Sequence, residues 1–186
     1  TWTWSGWVKR SKLGASQGLL TARNAASGSQ YTVLGFTSAD EFTVTDDVYG
    51  HVRPDALFRD PSAWYHIAVK MDTTQSTSSD RVKIYVNGTE QAVTVTGGYP
   101  AQNQDTRINS TLTHYIAMNL SSTGLFDGYM AEVNFVDGQA LDATDFGETK
   151  SGVWVPKRYA GTYGTNGFHL DFGNSGSLGA DVSGNG

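Results

Sequence analysis

The sequence predicts an all-β fold built as two stacked antiparallel sheets. Three features carry that prediction. Aromatic and β-branched residues recur at every second position in short runs, clusters of Gly, Asn, Asp and Ser separate the runs, and no stretch keeps a strong helical period. Alternation of this kind gives each strand one dry face and one wet face. About a dozen such strands need two layers to bury their apolar sides.

The elements follow in order. A first strand is expected over 2–9, where Trp2, Trp4 and Val8 alternate with Thr3, Ser5 and Trp7, and Gly6 interrupts. After a loop at 11–16 come short strands at 18–22 and 31–37 around a polar turn at 24–29, then another at 41–45. The run 52–58 is weaker because Pro54 cannot donate to a ladder. In 64–71, Tyr65, Ile67, Val69 and Met71 share one face, and Trp64, His66, Ala68 and Lys70 the other. In 82–87, Val82, Ile84 and Val86 oppose Lys83 and Tyr85. Asn87-Gly88 then predicts a tight hairpin turn, since both residues tolerate positive φ, with 91–96 as the return strand.

The polar stretch 97–109 reads as a long loop, a length that usually serves function or mobility. Strands follow at 114–119 and 126–136, the latter with Tyr129, Ala131, Val133 and Phe135 against Met130, Glu132 and Asn134. Asp137-Gly138 turns the chain. The single helical candidate is 141–146, one or two turns long, with Asp142 as cap and Gly147 as stop. Strands at 152–156 and 167–172 close a domain spanning 1–172, and the Gly/Ser/Asn-rich 173–186 reads as a tail or linker to a further region.

Composition narrows the function classes. The 186 residues suit one domain, and with no cysteine there is no disulfide framework and no thiol nucleophile. A net charge of -5 without a basic stripe argues against a nucleic-acid partner. No apolar run approaches the ~20 residues of a membrane span, and no polybasic anchor is evident. The chain opens Thr1-Trp2-Thr3-Trp4, without a basic leader and already in strand-like pattern, which reads as a piece of a longer polypeptide.

Four segments in order carry a family resemblance: 64–69 (Trp-Tyr-His-Ile-Ala-Val), 83–88 (Lys-Ile-Tyr-Val-Asn-Gly), 126–133 (Phe-Asp-Gly-Tyr-Met-Ala-Glu-Val) and 139–141 (Gln-Ala-Leu). Together with the opening strand 4–9 they resemble the concanavalin A-like (laminin-G/pentraxin-like) jelly-roll domain. The run 128–141, with 145–148 and 161–168, is similar to versions found in tail-fibre and other virion proteins of aquatic bacteriophages. The resemblance implies an antiparallel jelly-roll sandwich on an extracellular virion particle. Its implied partners are bacterial surface polysaccharide and other virion subunits, homo-oligomeric copies included.

Two groups of residues suit carbohydrate binding. Trp64, His66 and Tyr85 share the face opposite the core, where rings can pack on sugar C–H faces and polar tips can reach hydroxyls. Trp64 as a packing residue under a loop or partner is the competing reading. The loop supplies Tyr99, Gln102, Asn103, Gln104, Asp105, Arg107 and Asn109, planar amides and one guanidinium suited to polyols; a solvated or oligomer-contacting loop is its alternative. No cofactor is expected. A structural calcium site of ~6–8 oxygens would draw on Asp46, Asp47 and Asp105, but no calcium-loop motif supports it. His51, His66, His114 and His169 lack zinc spacing. For glycoside hydrolysis, Glu132 is followed by Asn134 and Val136, so the strand offers one carboxylate where the chemistry needs two. No Gly-x-Ser-x-Gly elbow is present. Three Asn-x-Ser/Thr triplets, at Asn87, Asn109 and Asn119, are of the number chance gives in so Asn-rich a chain. A non-enzymatic recognition module is therefore expected first, a structural virion domain second and a glycan hydrolase third.

Overall fold

The computed structural model describes residues 1–26, 29–121 and 123–185. Two six-stranded antiparallel sheets form the body. The first runs, in spatial order, β14 (Phe168–Leu170), β11 (Gly128–Asp137), β1 (Trp2–Arg10), β6 (Tyr65–Met71), β7 (Val82–Val86) and β8 (Thr89–Glu90). The second runs β10 (Thr113–Ile116), β2 (Gln17–Arg23), β3 (Tyr31–Phe36), β4 (Phe42–Asp46), β5 (Gly50–Pro54) and β9 (Val93–Gly97). A separate hairpin joins β12 (Gly147–Lys150) to β13 (Val153–Pro156). The polar turn expected at 24–29 falls partly outside the described residues, at 27 and 28.

Alternation sets the core. Trp2, Trp4 and Val8 of β1, Ile67, Val69 and Met71 of β6, and Val82 and Ile84 of β7 turn inward. They meet Leu20, Ala22, Leu34, Phe36, Phe42, Val44 and Val52 from the second sheet. Gly6 takes an inward position without a side chain because the Trp4 indole lies over it, 3.0 Å from where its Cβ would stand.

Opposite Gly6 the ladder slips. Ser5 pairs with Asn134 but Trp7 with Ala131, so Glu132 and Val133 together face one residue. This is a β-bulge, and Glu132 sits in it at φ 49°. The bulge corrects the expected faces of β11. Val133 and Phe135 do point inward, but Met130 joins them on the core side and Tyr129 turns out to 62% exposure.

Three further expectations change. The return of the Asn87-Gly88 hairpin is only Thr89–Glu90; the chain then crosses over, and Val93–Gly97 pairs with β5 in the second sheet. The helix at 141–146 is a single 3₁₀ turn, Ala143–Asp145, and Gly147 opens β12. The outer face of the first sheet is not solvated as the two-layer reading has it. A third layer drawn from residues 139–163 covers much of it, packing Phe146, Tyr159 and Tyr163 on Val136, and Ala143 and Trp154 on Ala68 and Tyr85. Residues 181–185 also return to the fold: Asp181 accepts from the His169 N–H at 2.8 Å, and Asn185 Nδ2 donates to the Gly167 carbonyl at 2.9 Å.

One end of the core is closed by a charge. Arg10 is fully buried, donates to the Phe58 carbonyl at 2.7 Å, lies 4.3 Å over the Phe36 ring and meets Asp40 at 3.0 Å. The Gly14 N–H holds the Asp40 carboxyl below its ordinary range; burial opposes that shift, and Arg10 reinforces it. Asp40 also meets Arg59 at 3.5 Å, so removing Arg10 leaves it a counter-charge, whereas removing Asp40 strands the buried guanidinium. Asp40→Ala is therefore expected to lower stability by about 3–5 kcal/mol in denaturant unfolding, with the Arg10→Ala, Asp40→Ala double variant losing less than the sum of the singles.

Candidate functional site

The outward face of the first sheet carries Thr3, Ser5, Trp7, His66, Ala68, Lys70, Tyr85 and Asn134, as period-two alternation dictates. Covering such a face demands partners for its polar groups. Thr3 Oγ1 donates to the Gln139 carbonyl and accepts from the Leu141 N–H, both at 2.8 Å. Tyr163 donates to Asn134 Oδ1 at 2.8 Å. Lys70 and Tyr85 both donate to Asp142 Oδ1, at 2.8 and 3.0 Å.

His66 lies at the centre. The Trp154 indole N–H donates to its Nδ1 at 3.1 Å, so the proton sits on Nε2, which faces Ser5 Oγ at 2.8 Å. Trp7 and Trp154 flank the imidazole with ring centroids 5.1 and 5.8 Å away. Burial pushes its pKa down to about 4. Trp154 reaches this position because Gly88 and Gly147 leave room for its ring; a Cβ at either would overlap the indole.

The expected aromatic patch is thereby divided. His66 is fully buried and Tyr85 nearly so, under the molecule's own third layer, and neither faces solvent. Trp64 remains 41% exposed and packs on Tyr129 at 6.5 Å between ring centroids. Beside it runs a shallow open groove lined by Trp7, Trp64 and Trp154, with Asn87, Thr149 and Val153 at the rim.

The long loop lies elsewhere. Trp2 Nε1 donates to Thr106 Oγ1 at 2.8 Å, which ties the loop to the start of β1, whereas Tyr129 pairs with Lys9 near its end. Those positions are ~23 Å apart along a strand. Tyr99 is half-buried against the core. Asn103 and Asp105 are exposed, with the Asn103 N–H donating to the Thr73 carbonyl at 2.8 Å. Arg107 grips Asp47 through two nitrogens at 3.1 and 3.2 Å, which holds the Asp47 carboxyl low against its burial. The structure brings together neither the two expected groups nor all the members of either.

Glu132 faces His169, Oε2 to Nε2 at 2.9 Å, in a depression that Arg158 and Asp171 also line. Among the described residues no three His, Asp or Glu side chains converge as a metal site requires, and no helix is long and apolar enough to cross a membrane.

The sequence profile of the concanavalin A-like lectin/glucanases superfamily, a laminin G type, matches residues 1–145. The chain belongs to this superfamily. No curated protein matches it. Solved structures with the superfamily's fold include three informative likenesses. One is a protein from Bacteroides ovatus ATCC 8483 provisionally described as carbohydrate-binding, 15% identical at TM-score 0.52, covering 97% of this chain and 50% of that one. Another is domain 4 of the extracellular arabinanase AbnA from Geobacillus stearothermophilus, in complex with arabinotriose, 16% identical at 0.51, covering 72% and 59%. A third is the CBM40 of a Ruminococcus gnavus sialidase bound to α2,3-sialyllactose, 18% identical at 0.50, covering 68% and 70%. The chain thus spans about half to three-fifths of the first two.

Trp7, Trp154 and Tyr129 escaped sequence reasoning as partners of Trp64. The apolar run Val153-Trp154-Val155 between turn residues was the available signal, but its docking site on Gly88 is non-local. The imidazole gives a pH test. With a folded pKa near 4 against 6.5 unfolded, the unfolded chain binds more protons in between. The stability contributed by neutral His66 should be complete above about pH 6.5 and fall as pH drops toward 4, by up to roughly 3 kcal/mol. Denaturant midpoints across that window should show the slope, and His66→Gln should flatten it.

Proposed function

We propose that this chain is a non-enzymatic carbohydrate-recognition module, and that the Trp7–Trp64–Trp154 groove is where a glycan lies. One observation carries the reading: three indoles, from β1, the residue preceding β6 and the β12–β13 hairpin, line a single open groove, together with Asn87 and Thr149. Aromatic faces pack against sugar C–H surfaces, and rim polar groups fix orientation. The company of structures described with arabinotriose, sialyllactose and carbohydrate binding supports the same class.

We place the module on a phage fibre or tail facing bacterial surface polysaccharide, on the strength of the sequence likeness of 128–141 to virion domains. An open groove binds one sugar weakly. Repetition of copies on a fibre raises the effective concentration and makes weak sites useful. The loop residues Tyr99, Asn103, Asp105 and Arg107 form a separate candidate surface at the other end of β1. A structural fibre-building role is the second reading, favoured by the joint exposure of Trp64, Tyr129 and Val153.

A glycan array of bacterial polysaccharides tests this with the parent chain and Trp64→Ala. Parent binding should weaken at least about tenfold in Trp64→Ala, equivalent to ~1.4 kcal/mol, with the melting temperature held because the ring is already half in water. Equal binding by both would remove the groove as the site. An array blank for the parent, together with self-association that Trp64→Ala abolishes, would replace recognition by assembly.

A further inference from the structure

The two sheets do not meet evenly along their margins. β10 is an edge strand of the second sheet and β14 of the first. Between them opens a cleft of about 430 Å³, within the ~300–1,000 Å³ range of ligand pockets. Its floor is apolar: Leu20, Ile108 and Phe135, each nearly out of water already, and the part-exposed Phe168. Its rim is Asn109, Ser110, Thr111, His114 and Asn166.

The rim is ordered by one carboxylate. Asp137 Oδ1 accepts from Asn109 Nδ2 at 2.6 Å, while Oδ2 accepts from the Asn166 N–H at 3.1 Å and Nδ2 at 3.2 Å. Asn166 Nδ2 also donates to Asn109 Oδ1 at 3.1 Å. His114 Nδ1 donates to the Leu112 carbonyl at 2.7 Å, which leaves Nε2 to accept the Asn109 N–H at 3.2 Å. Among the described residues, no Asp, Glu, Lys or Arg lines the cleft. Thr111 and Asn166 are exposed at its mouth.

These features specify an occupant. A floor of aliphatic and phenyl surface gains little from an unsubstituted, fully hydroxylated sugar, whose polar groups would lose water without replacement. It gains most from a methyl group, at roughly 25 cal/mol per Å² of apolar surface removed from water. No charged side chain lines the cleft, so a carboxylate gains no ion pair there, and the nearby Asp137 carboxylate is engaged by Asn109 and Asn166. The exposed polar groups at the mouth suit a hydroxyl or amide beside the methyl. We infer that this cleft is a second ligand site, which takes the methyl-bearing end of a neutral acetylated or deoxy sugar. The site shares no lining residue with the indole groove, and the inference rests on the recognition reading only in taking carbohydrate as the ligand class.

Saturation-transfer NMR with N-acetylglucosamine, L-fucose and glucose tests it. N-acetylglucosamine and L-fucose distinguish an acetyl from a deoxy methyl, and glucose has neither. At least one methyl-bearing sugar should show its strongest saturation at the methyl protons, and any saturation of glucose should come from the indole groove and vanish in Trp64→Ala. Thr111→Trp, on the exposed rim, should fill the mouth and remove the signal, while Trp64→Ala leaves it unchanged. An amide NMR spectrum confirms that Thr111→Trp is folded. With the groove removed in Trp64→Ala, saturation of glucose equal to the others overturns the inference, as does no saturation by either methyl sugar, or a signal that survives the added Thr111→Trp. A signal lost in Trp64→Ala alone would place the sugar in the indole groove, leaving the recognition reading intact and removing the cleft.

Discussion

A sheet face that carries Thr3, Ser5, His66 and Asn134 cannot be covered by apolar side chains alone, because each polar atom buried without a partner costs on the order of 1–3 kcal/mol. That constraint shapes the whole outer half of the molecule. The third layer brings a matching donor or acceptor to three of the four, the Gln139 carbonyl and Leu141 N–H to Thr3, the Tyr163 hydroxyl to Asn134 and the Trp154 indole to His66, while Trp7 Nε1 on the same face is left unpaired among the described residues. His66 then completes the chain by turning its other nitrogen to Ser5. The neutral imidazole has one donor and one acceptor, and this arrangement uses both. A protonated ring would turn an Nδ1–H donor toward the Trp154 donor, so the network and the burial that depresses the pKa both favour the neutral imidazole.

Much of this fold is legible in local pattern, and what escapes is non-local. The inward sets on β6 and β7 follow from alternation, and Asn87-Gly88 follows from the positive φ both residues adopt, 48° and 81°. The bulge at Glu132 does not, since no Gly or Asn marks it; it arises where Gly6 across the ladder gives no side chain to pack against. The crossover after Glu90 is likewise hidden, because an alternating run at 93–97 pairs equally well with either sheet until the whole sandwich is assembled. The aromatic patch was half legible. Alternation correctly sends Trp64, His66 and Tyr85 away from the core, yet which of them stays wet depends on where a segment some seventy residues later comes to lie.

The buried and open parts of that face divide the labour between stability and contact. Trp154 is fixed by two glycines and a hydrogen bond, so its ring is a wall of the groove held in one orientation. Trp64 packs on Tyr129 and remains 41% exposed. A rigid wall next to an accessible ring is suited to recognition, because a preorganised surface loses little conformational entropy on binding. Catalysis asks for something different: two carboxyl groups astride a bond. Glu132 and Asp171 do line one depression, but the Glu132 carboxylate is engaged by His169, and Arg158 lines the same hollow.

The bulge connects these threads. A non-glycine residue at φ 49° carries a backbone cost of order 1–3 kcal/mol, which persists only where the surroundings fix it. Here Glu132 is anchored by the His169 imidazole and by Asn134 Nδ2, which donates to its carbonyl at 2.8 Å. The extra residue reverses the sidedness of everything before it on β11. Without it, Met130 would face water and Tyr129 would enter the core. With it, Met130 packs inward and Tyr129 lies beside Trp64. The strain therefore has a visible product. One inserted residue moves an aromatic ring from interior to surface and sets it against Trp64, the exposed indole of the groove.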